Sequence, residues 1–253
     1  MACPGRLLDH LDRGHANLGA VETLVLDEAD RMLDMGFLPQ VRRIVARVPR
    51  TRQTLLFSAT FAPVLGQLVR EILRNPRRVA VGLSAAPCTV DHVLYPVAPD
   101  RKTDMLLQML RDTATASVLI FTRTKHRANR LARQLEQAGH HPAVLHSNRS
   151  QNQRQHALDG FRDGTYSLLV ATDIAARGLD IATISHVINY DIPDTPDAYI
   201  HRIGRTGRAE KTGDAITLVT PEDRDSVRDI ERALGKLIPV RKLEGFDRGL
   251  PGP

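Results

Sequence analysis

Between residues 93 and 234 short apolar runs alternate with amphipathic segments, and that alternation confines the chain to a small set of folds. The apolar runs fall at 93–96, 118–121, 143–146, 168–171, 186–190 and 215–219. Helical spacing predicts helices at 102–111, 125–137, 151–162, 198–203 and 221–234. Runs this short that are apolar at successive positions read as strands covered on both faces, which is the habit of parallel sheets. Parallel neighbours need crossover connections, so the expected class is α/β with helices on both faces of the sheet.

The first 82 residues carry a thinner version of the same pattern. Strands are expected at 21–26, 53–57 and 79–81, and helices at 6–11, 39–48 and 63–73. In 39–48, Val41, Ile44, Val45 and Val48 share one face while Arg42, Arg43 and Arg47 lie opposite. About three strands make a marginal sheet. The segment 1–82 is therefore expected to be the C-terminal part of a domain whose beginning lies outside the chain. Residues 83–90 are small and polar with Pro87 and read as a linker. Residues 91–240 read as a complete second domain, and 241–253, rich in glycine and proline, as a flexible tail.

Bulk properties narrow the function classes. A net charge of +6 and a pI near 9.7 favour polyanionic partners, nucleic acid first. The first 82 residues hold +4 of that charge and are the denser part. Cys3 and Cys88 stand alone, which argues against a disulfide framework and fits a cytoplasmic protein. No apolar run approaches the ~20 residues that span a bilayer. His140, His141 and His146 have no cysteine or acidic companion nearby in sequence, so they are not read as metal ligands.

Three stretches concentrate chemistry. In Leu24-Val25-Leu26-Asp27-Glu28-Ala29-Asp30 a predicted strand ends in adjacent carboxylates. Ligands of open α/β sheets sit at that end of a strand. A carboxylate there can hold Mg²⁺, and a second can orient a water; an acidic helix start explains the same residues. His201-Arg202-Ile203-Gly204-Arg205-Thr206-Gly207-Arg208 gathers arginine forks suited to phosphate beside glycines that permit close backbone approach. Residues 171–180, with Thr172, Arg177 and Asp180, follow a predicted strand and mark either a ligand edge or an ordinary helix start.

These stretches, together with Ser58-Ala59-Thr60, resemble in order and spacing the motifs of the DEAD-box RNA helicases, most nearly the bacterial members. Cys3-Pro4-Gly5-Arg6, residues 118–125 and Gln151-Asn152-Gln153-Arg154 are similar to the family's lesser motifs, so the resemblance reaches to about residue 240. It implies two RecA-like parallel-sheet domains, the first only partial and the second complete. It also implies ATP and Mg²⁺ as cofactors, RNA as partner, a monomer, and local strand separation by bending of one strand. Asp27 would hold Mg²⁺ through water, and Glu28 would act on the attacking water. Asp180 would touch the ribose, and Arg205 and Arg208 the γ-phosphate. His201 would link the arginine loop to the acid motif. Ser58 and Thr60, with Asp30, would couple nucleotide to duplex opening. Gly5, Arg6, Thr124, Arg154 and Thr172 would contact the RNA backbone, which positions a strand without reading its sequence.

Departures from the family pattern are equally specific. The chain has no G-x-x-x-x-G-K-[ST] phosphate loop; Lys211-Thr212 is preceded by Glu210 instead of glycine. The expected consequence is RNA binding without ATP hydrolysis by these residues alone. Cys3 stands where the family usually has threonine, which weakens that phosphate contact. An RNA-binding module that never uses ATP is the alternative reading. A DNA-directed helicase is a third, against which Asp30 and Gln151-x-x-Arg154 tilt.

Overall fold

The computed structural model describes residues 1–34, 36–58, 63–79, 90–112, 117–176, 184–207 and 213–250, in two compact units, Met1–Leu83 and Ser84–Pro253. The expected strand at 79–81 lies outside the described residues except for Val79, which is irregular.

The first unit runs α1 (Pro4–Asp12), β1 (Thr23–Leu26), α2 (Ala29–Asp34), α3 (Leu38–Val45), β2 (Gln53–Leu56) and α4 (Pro63–Ile72). β1 and β2 pair in parallel, with Leu26 opposite Leu56. Leu26, Ala29, Val41, Leu65, Leu68 and Ile72 form its main core, and Leu8, Ile44 and Val48 a smaller one under α1. Pro4 and Pro39 open α1 and α3 at first-turn positions, where the missing N–H costs nothing. The strand at 21–26 differs from expectation in its covering. The 21–26 run is not covered on both faces among the described residues: Val25 is 50% exposed and Thr23 exposed, and only Leu26 is buried.

The second unit runs β3 (Val90–Pro96), α5 (Lys102–Asp112), β4 (Val118–Phe121), α6 (Lys125–Gln137), β5 (Pro142–Leu145), α7 (Gln151–Arg162), β6 (Leu168–Ala171), α8 (Asp173–Ala176), β7 (His186–Asn189), α9 (Pro196–Ile203), β8 (Gly213–Val219) and α10 (Arg224–Leu234). Its six strands lie in the order β3-β8-β7-β4-β6-β5, all pairs parallel. Alternate residues of one strand serve opposite cores. Leu119 and Phe121 pack with Phe161, Tyr199 and Ile230, whereas Val118 and Ile120 pack with Met105, Leu106 and Leu131. Helices α5 and α6 thus cover one face and α7, α9 and α10 the other, which is why the strands read as unbroken apolar runs. From β4 the chain moves outward to β5 and β6, then returns to β7 and β8 on β4's other side, so β4 marks the switch point of the sheet.

The segment read as a flexible tail is tied down over 239–248. Val240 bridges Leu94, the Leu94 N–H donates to Pro239 O at 2.9 Å, and the Ala98 N–H donates to Arg248 O at 2.8 Å. Leu243 and Phe246 join the core beneath α5, with the Arg101 guanidinium 5.4 Å from the Phe246 ring centre. Two apolar anchors and these backbone bonds outweigh the freedom that glycine and proline suggested.

Candidate functional site

In the first unit the acid pair sits where β1 stops. Phe57 N–H donates to Leu26 O at 2.8 Å, and Ala29 N–H returns to Phe57 O at 3.0 Å, so the two strand ends are laced together. Glu28 N–H donates to Asp27 Oδ1 at 2.9 Å, and both carboxylates face solvent. Glu28 holds φ at +50°, a left-handed backbone that a non-glycine residue adopts at a cost of about 1–3 kcal/mol. That strain turns the chain sharply and lets Glu28 O accept from Met32 N–H at 3.1 Å, opening α2. Ser58 Oγ accepts from Asp30 N–H at 3.2 Å, so the hydroxyl motif and the acid motif are in direct contact. Thr60 lies outside the described residues. Gly5 and Arg6 are exposed in the first turn of α1, and a Cβ on Gly5 would meet nothing within 4 Å.

The carboxyl edge of the second sheet gathers the remaining candidates. Thr124 caps α6, its Oγ1 accepting from Arg127 N–H at 3.2 Å. Arg154 lies in the first turn of α7, whose start is closed by a reciprocal Ser150–Gln153 capping box. Thr172 is buried at the end of β6, and its carbonyl accepts from Ala175 and Ala176 N–H, both at 3.0 Å. His201 is exposed on α9, and Arg205, half-buried just beyond it, donates its N–H to Arg202 O at 3.0 Å. His201, Arg202 and Arg205 share a cavity of about 10 Å³ with Phe121, Asp173, Ala176 and Ala198, room for about one water. Asp180 and Arg208 lie outside the described residues.

Two residues that the motif reading left without a role organise this edge. Arg202, 2% exposed, grips Asp173 with both arms, Nε to Oδ1 at 2.6 Å and Nη2 to Oδ2 at 2.7 Å. Its Nη1 donates to Asn189 Oδ1 at 3.1 Å and Asp191 O at 2.7 Å, and the guanidinium stacks over Phe121 at 4.9 Å. One side chain therefore joins the start of α8, the end of β7 and α9. The available signal was its spacing: Tyr199, Arg202 and Ile203 share the buried face of α9. Asp191 is the second node, its side chain 4% exposed. It accepts Arg123 N–H at 3.0 Å and pairs with Arg127 at 3.1 Å and Lys102 at 3.8 Å. Burial pulls the Lys102 ammonium below its ordinary range, while Asp191 and Asp223 pull it back up.

Burial also holds His92 and His146 below the usual 6.5, helped by Lys236 at His92 and by Arg149 and Lys125 at His146. His92 Nδ1 lies 3.1 Å from the hydroxyl of Tyr199, whose phenol burial pushes up to about 12. Below 6.5 the unfolded chain binds protons that the folded imidazoles refuse, so stability falls as pH drops through that window. Thermal melts followed by circular dichroism should show the second unit losing a few degrees between about pH 7 and about pH 5. His92→Gln with His146→Asn should flatten that slope; an unchanged slope would remove both histidines from the account.

Among the described residues no group of three or more His, Cys, Asp or Glu is placed to hold a metal, and no helix is long and apolar enough to cross a membrane. A single carboxylate such as Asp27 still suffices for Mg²⁺ when waters and phosphates complete the shell.

The matches to known proteins follow the same division. Residues 1–68 match the model of the DEAD/DEAH box helicase and residues 101–210 that of the helicase conserved C-terminal domain. The chain is 42% identical over 252 residues to the DEAD-box ATP-dependent RNA helicase CshA of Geobacillus kaustophilus, covering 98% of this chain and 54% of that protein. It thus spans about half the length of that relative. The structure of S. cerevisiae Dbp5 bound to RNA and ADP BeF3 is similar with a TM-score of 0.85 and 33% identity, over 95% of this chain and 64% of that one. The E. coli DEAD-box protein SrmB, bound to regulator of ribonuclease activity A, gives a TM-score of 0.62 at 33% identity, over 65% of this chain and 97% of that one.

Proposed function

The chain belongs to the DEAD-box RNA helicases, and from that membership we propose that it binds the RNA backbone and takes part in ATP-dependent local separation of RNA duplexes. The observation that carries the reading is the placement of Asp27, Glu28, Ser58, Thr124 and Thr172, each within three residues of the carboxyl end of a parallel strand. That edge is where open α/β sheets receive ligands. Dbp5, solved with RNA and ADP BeF3, lends the ligand classes.

In this reading the solvent-facing Asp27 carboxylate would hold a hydrated Mg²⁺ through water, and the ion's charge would offset that of the phosphates. Glu28, held in its turn by backbone strain, aims a carboxylate at the water that attacks. Arg205 and Arg208 meet the γ-phosphate, and Asp180 meets the ribose. On the RNA side, Thr124 keeps a hydroxyl proton to donate after its oxygen has capped α6, and Arg154 supplies a charged fork. Gly5 gives a strand room to approach the helix backbone, since no neighbour fills its Cβ position.

The 253 residues hold no G-x-x-x-x-G-K-[ST] nest for the β- and γ-phosphates. The expected result for the purified chain is therefore RNA binding without measurable RNA-stimulated phosphate release. Robust release that Glu28→Gln abolishes would overturn that expectation. The alternative is a module that never uses nucleotide, and the binding of a fluorescent ATP analogue separates the two. Fluorescence anisotropy with RNA and DNA of one sequence tests the substrate class: equal competition by DNA would remove the RNA assignment.

A further inference from the structure

Helix α6 leaves the carboxyl edge directly after Thr124 and buries Ala128, Leu131, Ala132 and Leu135 against the sheet. At 100° per residue its opposite, outermost face carries His126, Arg130, Arg133 and Gln137, all exposed, within an arc of about 60°. The stripe is about 16 Å long. Solvated helix faces usually intersperse both signs, with glutamate and lysine or arginine three or four residues apart. Here Glu136 is the only acid between Lys125 and Gln137, and it falls off the stripe. Arg130 and Arg133 repel each other at three residues' spacing, and among the described residues neither makes an ion pair or side-chain hydrogen bond. Arg127, at the edge of the stripe, is by contrast committed to Asp191.

We propose that the outer face of α6, through Arg130 and Arg133, is an auxiliary binding track for the phosphodiester backbone of RNA that runs on from the carboxyl edge. The inference rests on the RNA reading of that edge and extends it to a surface outside it. Charge complementarity selects a polyanion, and continuity selects RNA, because Thr124, the cap of this helix, is itself a candidate backbone contact. A membrane surface fits poorly, since the apolar face of α6 is already buried and nothing remains to insert. An acidic protein fits poorly too, because the stripe lacks the apolar or aromatic centre of a protein interface. The length matches the axial run of roughly five phosphates on one strand of a helix.

The test compares Arg130→Gln with Arg133→Gln, as a double variant of the full chain, against the unaltered chain. Glutamine keeps helix propensity at these exposed positions, and an unchanged thermal melt confirms the fold. Binding is read by anisotropy on oligouridines of about 6 and about 24 nucleotides over a series of salt concentrations. The expected result is a roughly five- to tenfold loss of affinity for the long strand, with a salt slope shallower by about 1.4, and no change for the short strand. The double lysine variant should recover most of the loss, because backbone phosphate needs charge more than the fork. Equal loss on both lengths, or no loss on the long strand, overturns the track. So does a change confined to anionic vesicles or to polyglutamate. Arg154→Gln serves as the control for the edge: if it leaves the short strand bound as before, the RNA reading of that edge fails, whatever α6 does.

Discussion

Replacing Arg202 by methionine is expected to lower the stability of the second unit by about 3 kcal/mol, a large share of the 5–15 kcal/mol typical of a domain. The side chain is 2% exposed and makes four hydrogen bonds to three partners from two other strand ends. Removing it leaves Asp173 without its counter-charge and the Asn189 Oδ1 and Asp191 carbonyl without a donor. Loss of one partner of a buried pair costs about 3–5 kcal/mol, and the lower end applies because Asp173 keeps 28% of its side-chain surface in water. In a unit of this size that corresponds to a fall in melting temperature of roughly 6–12 °C. Arg202→Lys should recover less than half, since an ammonium cannot reproduce the two-armed grip on Asp173 together with the contacts to β7. The double change Arg202→Met with Asp173→Leu should be milder than the sum of the single changes, because no charge is then left stranded. Additive losses in that cycle, measured by urea unfolding, would show that the pair is not coupled.

Arg202 and Arg205 are indistinguishable by local residue pattern, although one is buried and the other half-buried. A glycine-punctuated run of arginines advertises phosphate, and nothing in the run separates the arginine that faces a ligand from the one that braces the scaffold. Only the helical phase does, by setting Arg202 beside Tyr199 and Ile203. Elements with strong local signals were legible to the residue: β4 and β6 are apolar at every position, and α6 and α7 start at Thr124 and Ser150 caps. Helices α2 and α8, of six and four residues, were legible only as alternative helix starts without bounds, because single turns at strand ends are set by tertiary hydrogen bonds such as Asp30 N–H to Ser58 Oγ. The left-handed turn at Glu28 was likewise invisible, since the residue type argues against it. The docking of 239–248 rests on Leu243 and Phe246 finding a core that lies far away in sequence, which local composition does not record.

The arginine loop should prove most sensitive at a residue that carries no functional group. Gly213 opens β8, paired with Val90 of β3, while its neighbour Asp214 pairs with His186 of β7, so its backbone is held from both sides. A Cβ there would overlap the Thr206 hydroxyl and the backbone nitrogen of Gly207. Thr206 has little freedom to retreat: it is 1% exposed, and its Oγ1 donates to Ile184 O at 2.7 Å and Ser185 O at 3.0 Å. Gly207, at φ +68°, already occupies a backbone region that suits only glycine well. Gly213→Ala is therefore expected to cost about 1–3 kcal/mol through overpacking, with the displacement falling on residues 204–207 and hence on Arg205. Hydrogen exchange should report it as faster exchange of the amides at 204–207, while the protected amides of β4 and β6 change only with global stability. Adding Thr206→Ala should not rescue the variant, because the overlap with the Gly207 nitrogen persists and the bonds to Ile184 and Ser185 are lost as well. Full rescue by Thr206→Ala would mean that the clash is with a side chain alone, and that the loop bearing Arg205 is not pinned by the start of β8.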